Sequence, residues 1–259
     1  MIQVIGKMHE LLLLLAKSKV PLSLHELASG IHEQDSTAAN IVKTMKDLGY
    51  IRQTAERKGY VLGTALHYLV RNHNPGAALA DAAGAHVEAL SREINESCHL
   101  VVEYMRKRVV ILRVKSPAGI HLTDDLDSLE ELHTTCTGLM LLGAKDDDII
   151  RRYCDSIGVR ACAWAFKGVR SSDGFCDALR SAAHAGLLIV TPAHEDIHNG
   201  AALLAFAVRR QGRIIAALGI KMPSFRFRGE NRKKVLAAAI RTVQSIETII
   251  NDLPEEFPL

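Results

Sequence analysis

The apolar positions of the first 62 residues change period in a fixed order. Residues 2–17 repeat at helical spacing, with Val4, Met8, Leu11, Leu12 and Leu15 on one stripe. Pro21 stops this helix. Ser23-Leu24-His25-Glu26 then has the form of a capping box, in which Ser23 takes the backbone N–H of Glu26 and Glu26 reaches back. It predicts a short helix to Ser29 with Leu24, Leu27 and Ala28 turned inward, Gly30 as its cap and Ile31 closing the turn. Asp35-Ser36 opens a third helix ending near Leu48, with Ala38, Ile41, Val42, Met45 and Leu48 on its buried stripe and Gly49 as a left-handed cap. Tyr50–Gln53 and Gly59–Leu62 read as two short strands around the polar, basic turn 54–58.

Asn72-His73-Asn74-Pro75-Gly76 breaks the pattern, because proline and the residue before it disfavour helix. The expected organisation is a first domain over residues 1–64, a helical linker over 65–76 and a second domain over 77–259. The second domain opens with a helix at 77–95. Strands follow at 98–105 and 109–115 around the turn Arg106-Lys107-Arg108, then helical stretches at 137–156 and from Asp173 to Ala185. Three strands read at 187–191, 202–208 and 213–222. A closing helix runs from Glu230 to Asn251, with Val235, Leu236, Ala239, Ile240, Val243, Ile246 and Ile250 buried. Paired strands flanked by helices make this an α+β fold with a largely antiparallel sheet.

Composition narrows the class. The chain has 259 residues, 48% of them apolar and 24% charged, which suits a folded protein rather than a disordered one. The longest apolar run, Ala201–Val208, is far short of a membrane span, and no signal-peptide cleavage pattern follows the early run Leu11–Ala16. Five cysteines without a C-x-x-C pair argue against a zinc site or a disulfide framework, and for reduced thiols in a cytoplasmic protein. The net charge of +3 lies wholly in residues 1–75; the remainder is balanced. A small basic module joined to a larger neutral one points to a polyanion reader coupled to something else.

Two short helices joined by a tight turn and followed by a basic hairpin describe a winged helix-turn-helix. The second helix of the pair enters the major groove of double-stranded DNA. The outward face of that helix carries Ser36, Thr37, Asn40 and Lys43, and the wing carries Arg57 and Lys58. Serine and threonine near a helix start suit phosphates, asparagine suits an adenine edge, and the cations suit the backbone.

At this point the chain resembles the isocitrate-lyase-regulator (IclR-type) family of bacterial transcription factors. The resemblance rests on Pro21 to Ala28, Ser36-Thr37, Leu48-Gly49-Tyr50-Ile51 and Gly59 to Gly63. In the second module it rests on Leu132-His133-Thr134-Thr135-Cys136-Thr137-Gly138 and on the terminal strand with Pro223 before a long helix. It implies a GAF-like effector-binding domain, a homodimer or homotetramer on a palindromic operator, and most often repression of a catabolic operon. It also implies a small carboxylate as effector. By the same resemblance Thr135, Cys136, Thr137, His194, Leu203, Gly219 and Lys221 are effector-site residues, Leu203 standing where the family carries a cysteine, and Gly219 and Lys221 where it carries serines. The family usually has arginine at the place of Asn40, so the operator cannot be borrowed.

Other chemistry is thin. Cys136 beside His133 at a helix start reads as a nucleophile, a pocket-lining thiol or plain core. No triad, P-loop or H-E-x-x-H spacing is present, so neither an enzyme, a bound metal nor another cofactor is expected. Asp146-Asp147-Asp148 reads as a helix start. Along 213–222, alternation places Ile214, Ala216, Leu218 and Ile220 on one face and Ile215, Ala217, Gly219 and Lys221 on the other. Lys221 would then meet the anionic group of an acidic metabolite, helped by backbone N–H groups near Thr135–Thr137. The competing reading is a sensor or enzyme-like domain whose winged helix binds protein.

Overall fold

Three helices and a hairpin close around a core too small to tolerate a misplaced polar group. The structure, a computed structural model, describes residues 2–55, 58–70, 76–116, 129–191 and 200–252. It divides into two compact units, Met1–Asn74 and Pro75–Leu259. In the first unit, α1 (Gln3–Lys17), α2 (Leu24–Gly30) and α3 (Asp35–Asp47) bury Leu11, Leu15, Leu27, Ala28, Ala38, Ile41, Val42 and Met45 against Ile31 and Ile51. The capping box forms, with Ser23 N donating to Glu26 Oε2 at 2.7 Å and Glu26 N to Ser23 Oγ at 3.2 Å. Strands β1 (Ile51–Gln53) and β2 (Tyr60–Leu62) pair antiparallel as the wing. Leu22 adds a bridge to Tyr60, which ties the wing to the turn between α1 and α2.

Three details of the first unit depart from the sequence pattern. Val4 and Leu48 are 52% and 59% exposed rather than buried, because Val4 lies in the first turn of α1 and Leu48 is already the C-cap of α3. Gly30 does not take the left-handed conformation; His32 does, at φ 54°. Gly30 is instead a close approach, where a Cβ would run into the side chain of Leu14.

The second unit is built on one antiparallel sheet of six strands, in the order β5-β4-β3-β8-β7-β6. These are β3 (Ser97–Tyr104), β4 (Lys107–Val114), β5 (Leu129–Glu131), β6 (Leu187–Val190), β7 (Ala201–Arg210) and β8 (Arg213–Pro223). Helices α5 (Ala77–Ile94) and α10 (Gly229–Asp252) cover one face, burying Leu79, Val87, Val235 and Ile246 against Leu100, Leu204, Leu218 and Ile220. On the other face lie α6 (Cys136–Leu142), α7 (Asp147–Ile157), α8 (Val159–Cys162) and α9 (Ser172–Ala185), packed on Val101, Ala205, Ala207, Ala217 and Leu188. Helix α4 (Thr64–Val70) follows the wing within the first unit, where Ala65 N donates to Gly49 O at 3.1 Å.

Strand alternation was interrupted where the sheet bulges. A register shift between Val208 and Arg209 leaves Ile215 unpaired. Ile214 therefore packs on the α6 face and Ile215 on the α5/α10 face, the reverse of the expected assignment. The hairpin β3–β4 turns at Met105 and Arg106, both with positive φ, so Lys107 and Arg108 belong to β4 and not to the turn. Arg108 is fully buried, with Nη2 3.4 Å from Glu130 Oε2 on β5, a strand too short to register in the hydrophobic pattern. Ile240 is 45% exposed, on the outer side of α10.

Where the wing meets the end of α3, Gly63 N donates to Tyr50 O at 2.8 Å, and a Cβ on Gly63 would collide with the carbonyl of Gly49. Gly63→Ala should therefore cost the first unit about 1–3 kcal/mol through forced backbone displacement. A urea melt of the full chain followed by circular dichroism measures it, and an unchanged first transition would contradict this close crossing.

Candidate DNA interface and effector site

The first site is a face of α3. Its inward stripe is fully used by the core, so the remaining side chains project outward: Ser36, Thr37, Asn40 and Lys43 are all exposed. The N-cap residue Gln34 makes no side-chain cap bond, and Asp35 turns away to His25, whose Nδ1 lies 3.2 Å from Asp35 Oδ1. The first turn of α3 thus presents uncapped backbone N–H groups next to two hydroxyls, the chemistry that suits a phosphate. Asn40 leaves its side-chain amide outward, since only its carbonyl is engaged, by Thr44 Oγ1 at 3.0 Å. In the wing, Lys58 is exposed and its backbone is fixed by Thr54 and Ala55. Arg57 lies outside the described residues.

The second site is the polar stretch of the α6 face of the sheet. Thr135 caps α6, accepting Gly138 N–H at 3.0 Å, and its Oγ1 lies 3.4 Å from Thr137 Oγ1. Cys136 Sγ points to Leu203 O at 3.9 Å. Leu203 pairs with Lys221 across β7 and β8, so the expected residues Thr135, Cys136, Thr137, Leu203, Gly219 and Lys221 all belong to one wall, where α6 begins over β7 and β8. Thr135, Cys136 and Thr137 are buried, and Lys221 is partly buried. The short helix offers fewer free N–H groups than the sequence reading assumed, because the Thr135 side chain takes one of them. His194 lies outside the described residues.

Two residues of this wall went unread in the sequence. His99 on β3 pairs with Gly219 on β8 and is buried. Arg113 on β4 pairs with His99. The signal for His99 was present: it is a polar residue inside the otherwise apolar run Cys98–Val102. Arg113 was hidden by a second bulge, at Ile111, which reverses the alternation along β4.

Nucleophilic chemistry fits this wall poorly. The imidazole of His133 is turned to Tyr153, with Nδ1 3.0 Å from Oη, and burial holds its pKa below the usual range. Trp164 Nε1 donates to His133 O at 2.6 Å and locks that turn. Cys136 is buried, and burial raises its thiol pKa well above the ordinary range. Among the described residues no group of three or more His, Cys, Asp or Glu is placed to hold a metal, and no helix is long and apolar enough to cross a membrane. Asp147 does begin a helix, where Arg180 Nε lies 2.6 Å from its Oδ1 and holds its carboxyl below the usual range.

A winged helix-turn-helix joined to a separately folded α+β domain is the build of a ligand-controlled DNA-binding regulator. The chain belongs to the IclR family of bacterial transcriptional regulators. The family's C-terminal domain matches residues 75–248 and its helix-turn-helix domain residues 5–55. The HTH-type transcriptional regulator KdgR of Escherichia coli (strain K12) is 25% identical over 217 residues, 83% of this chain and 81% of that protein. The Glycerol operon regulatory protein of Streptomyces coelicolor is 26% identical over 140 residues, 54% of this chain and 55% of that one. Among solved structures, an IclR homologue from Microbacterium hydrocarbonoxydans complexed with 4-hydroxybenzoate superposes with a TM-score of 0.75 at 19% identity, over 95% of this chain and 99% of the other. The IclR of Thermotoga maritima superposes with a TM-score of 0.68 at 16% identity, over 97% and 100%. At these identities the structures share the fold.

Burial makes a prediction about the thiols. Cys98 and Cys162 are pushed up to about 12, Cys98 with the added repulsion of Glu96 and Cys162 with that of Cys154. Only the thiolate reacts, so these groups stay protonated and inert near neutral pH. Native protein should react with a disulfide reagent about a hundredfold or more slowly than the same chain in guanidinium, with a rate still climbing between about pH 7 and 9. Rapid stoichiometric labelling of Cys136 in the native state would restore the nucleophile reading.

Proposed function

We propose that this regulator works in the cytoplasm as a dimer or tetramer on a palindromic operator, and that a small acidic metabolite controls it, most simply by releasing repression of a catabolic operon. The observation that carries this reading is the pairing of two faces: four short polar or basic side chains exposed on α3, and a cation-bearing polar wall inside an otherwise apolar sheet domain. Acidic ligand chemistry is supported by Lys221 on that wall. It is also supported by the fold neighbour from Microbacterium hydrocarbonoxydans, which holds the carboxylate 4-hydroxybenzoate.

A single recognition helix makes too few base contacts for operator specificity, and two-fold pairing supplies a second half-site about one or two turns away. Exposed apolar surface for such pairing lies on α4, where Tyr68 is 77% and Leu69 52% exposed. The apolar stripe of α5 is consumed by its own domain. We therefore place association at the linker. Sedimentation at micromolar concentration should give a dimer or larger, and a monomer would refute the linker seam.

The decisive assay is binding to the DNA flanking the chain's own gene. Lys43→Ala should weaken specific and random duplex alike and lower the salt slope by about one ion. Asn40→Ala should instead relax preference at one base position by roughly 1–3 kcal/mol. Equal losses on specific and random DNA in both variants would mean that α3 does not read the groove. For the effector side, Lys221→Met should cost about 2–5 kcal/mol of acid binding if the ion pair is desolvated. Acids that bind both proteins alike would remove Lys221 from the site.

A further inference from the structure

The second domain carries as many acids as bases, yet its charge is not evenly spread. Residues 226–234 hold five cations, Arg226, Arg228, Arg232, Lys233 and Lys234, against the single acid Glu230. They straddle the start of α10, which begins at Gly229. This is the wrong end of a helix for them. The unsatisfied N–H groups of a first turn carry partial positive charge, which favours Asp and Glu and repels Lys and Arg. Only Glu230 complies. Where a chain breaks a local rule of this kind without a structural return, a functional surface is the physical expectation.

The five cations divide by what holds them. Arg226 serves the fold. Its Nη1 lies 2.9 Å from Oε1 of Glu96, which is 2% exposed, its carbonyl accepts from Asn231 Nδ2 at 2.7 Å, and its guanidinium stands over the Phe225 ring. The other four are exposed. Arg232 lies over the ring of buried Phe227, 5.5 Å from the centroid, a contact that steers the head group without neutralising it. Lys233 Nζ is 2.7 Å from Glu230 Oε1, an ion pair exposed on both sides and therefore weak. Among the described residues no carboxylate pairs with Arg228, Arg232 or Lys234. Lys233 and Lys234, with Glu230, Asn231 and Ala237, line a shallow groove of about 510 Å³. Val235, Ala238 and Ala239 of the same turns are buried in the domain core, so what these turns offer a partner is charge.

We propose that the start of α10 is a second DNA-contacting surface, carried by the α+β domain itself, in which Arg228, Arg232, Lys233 and Lys234 hold the phosphate backbone without reading bases. Charge complementarity selects the partner. Duplex DNA presents one negative charge about every 1.7 Å of its axis. Four cations within about two helical turns, roughly 11 Å, meet several phosphates at once. Such contacts add affinity on any duplex and carry no sequence information. An acidic protein segment would need an apolar anchor beside the charge. The groove offers one alanine among charged and polar side chains, and the exposed Phe225 is covered by Arg226. DNA is also the polyanion that the helix-turn-helix family of the first unit binds.

The test is fluorescence anisotropy of the full chain on a long random-sequence duplex over a series of salt concentrations. Wild type is compared with Arg228→Gln/Lys233→Gln/Lys234→Gln, which leaves Arg232 on Phe227. The variant should lose tenfold or more in affinity at low salt, with a salt slope shallower by about two to three ions. Base preference on operator DNA should be the same in both proteins. The variant should melt at or above the wild-type temperature, because repulsion at the helix start is relieved. An unchanged slope would overturn the proposal, and so would a lower melting temperature with the slope intact, which would give the cations a role in folding. Polyglutamate serves as the competing polyanion: if its binding falls in the variant while the DNA slope holds, the surface takes an acidic protein and not DNA.

Discussion

The second domain depends on covering one sheet twice. An antiparallel sheet with a solvated face would alternate apolar and polar residues, but β3, β7 and β8 are buried on both faces. Each face then needs its own helical layer. The α5/α10 layer meets this demand with an unbroken apolar contact, from Cys98 and Leu100 to Leu218, Ile220 and Met222. The α6 layer does so only in part. Val101, Ala205 and Ala217 are covered by Leu139, Met140 and Leu142, but the same strands go on to His99, Gly219 and Lys221. Polar groups in a wall that the fold requires to be covered cost free energy unless they meet polar partners. The contrast between an apolar face and an interrupted one sets this wall apart from the rest of the sheet.

The small unit faces the opposite problem. Among the described residues ten are buried in its core, so little surplus stability is available, and the polar face of α3 must stay out of that core. The three-helix arrangement solves this by period alone. Residues 38, 41, 42 and 45 of α3 point in, and 36, 37, 40 and 43 point out. Among the described residues of α3, none of the four outward ones belongs to the core. Substitutions on the outer face should therefore leave folding intact in a way that substitutions among the buried residues at the start of α6 do not.

How much of this was legible in the sequence follows from the same physics. Helical stripes are read from period and caps, and α2, α3, α5, α9 and α10 emerged with only their ends displaced. The outward face of α3 was legible because its inward face was. Errors concentrate where one residue decides the phase. The unpaired Ile215 inverted Ile214 and itself, and the tight turn at Met105-Arg106 was read one residue late and one residue too long, hiding Arg108 in a supposed loop. Strand β5 is three residues long and carries Glu130 and Glu131, so no hydrophobic pattern announces it. Its role is electrostatic, pairing Glu130 with buried Arg108 and Glu131 with Lys107. Long-range partners of this kind are invisible to any local reading.

The bulge at Ile111 shows why the phase of a strand carries function as well as packing. Counted from Arg108, which shares a face with Glu103 and Glu130, simple alternation would put Arg113 on the α5/α10 face, because five positions separate them. That face is the one packed by Leu100 and Val87. The extra residue lets Ile111 and Leu112 both pack toward α5 and α10, and turns Arg113 onto the face shared with His99. One inserted position thus sets which face of the sheet carries the exposed Arg113 side chain, and removing it would move that charge from one face to the other.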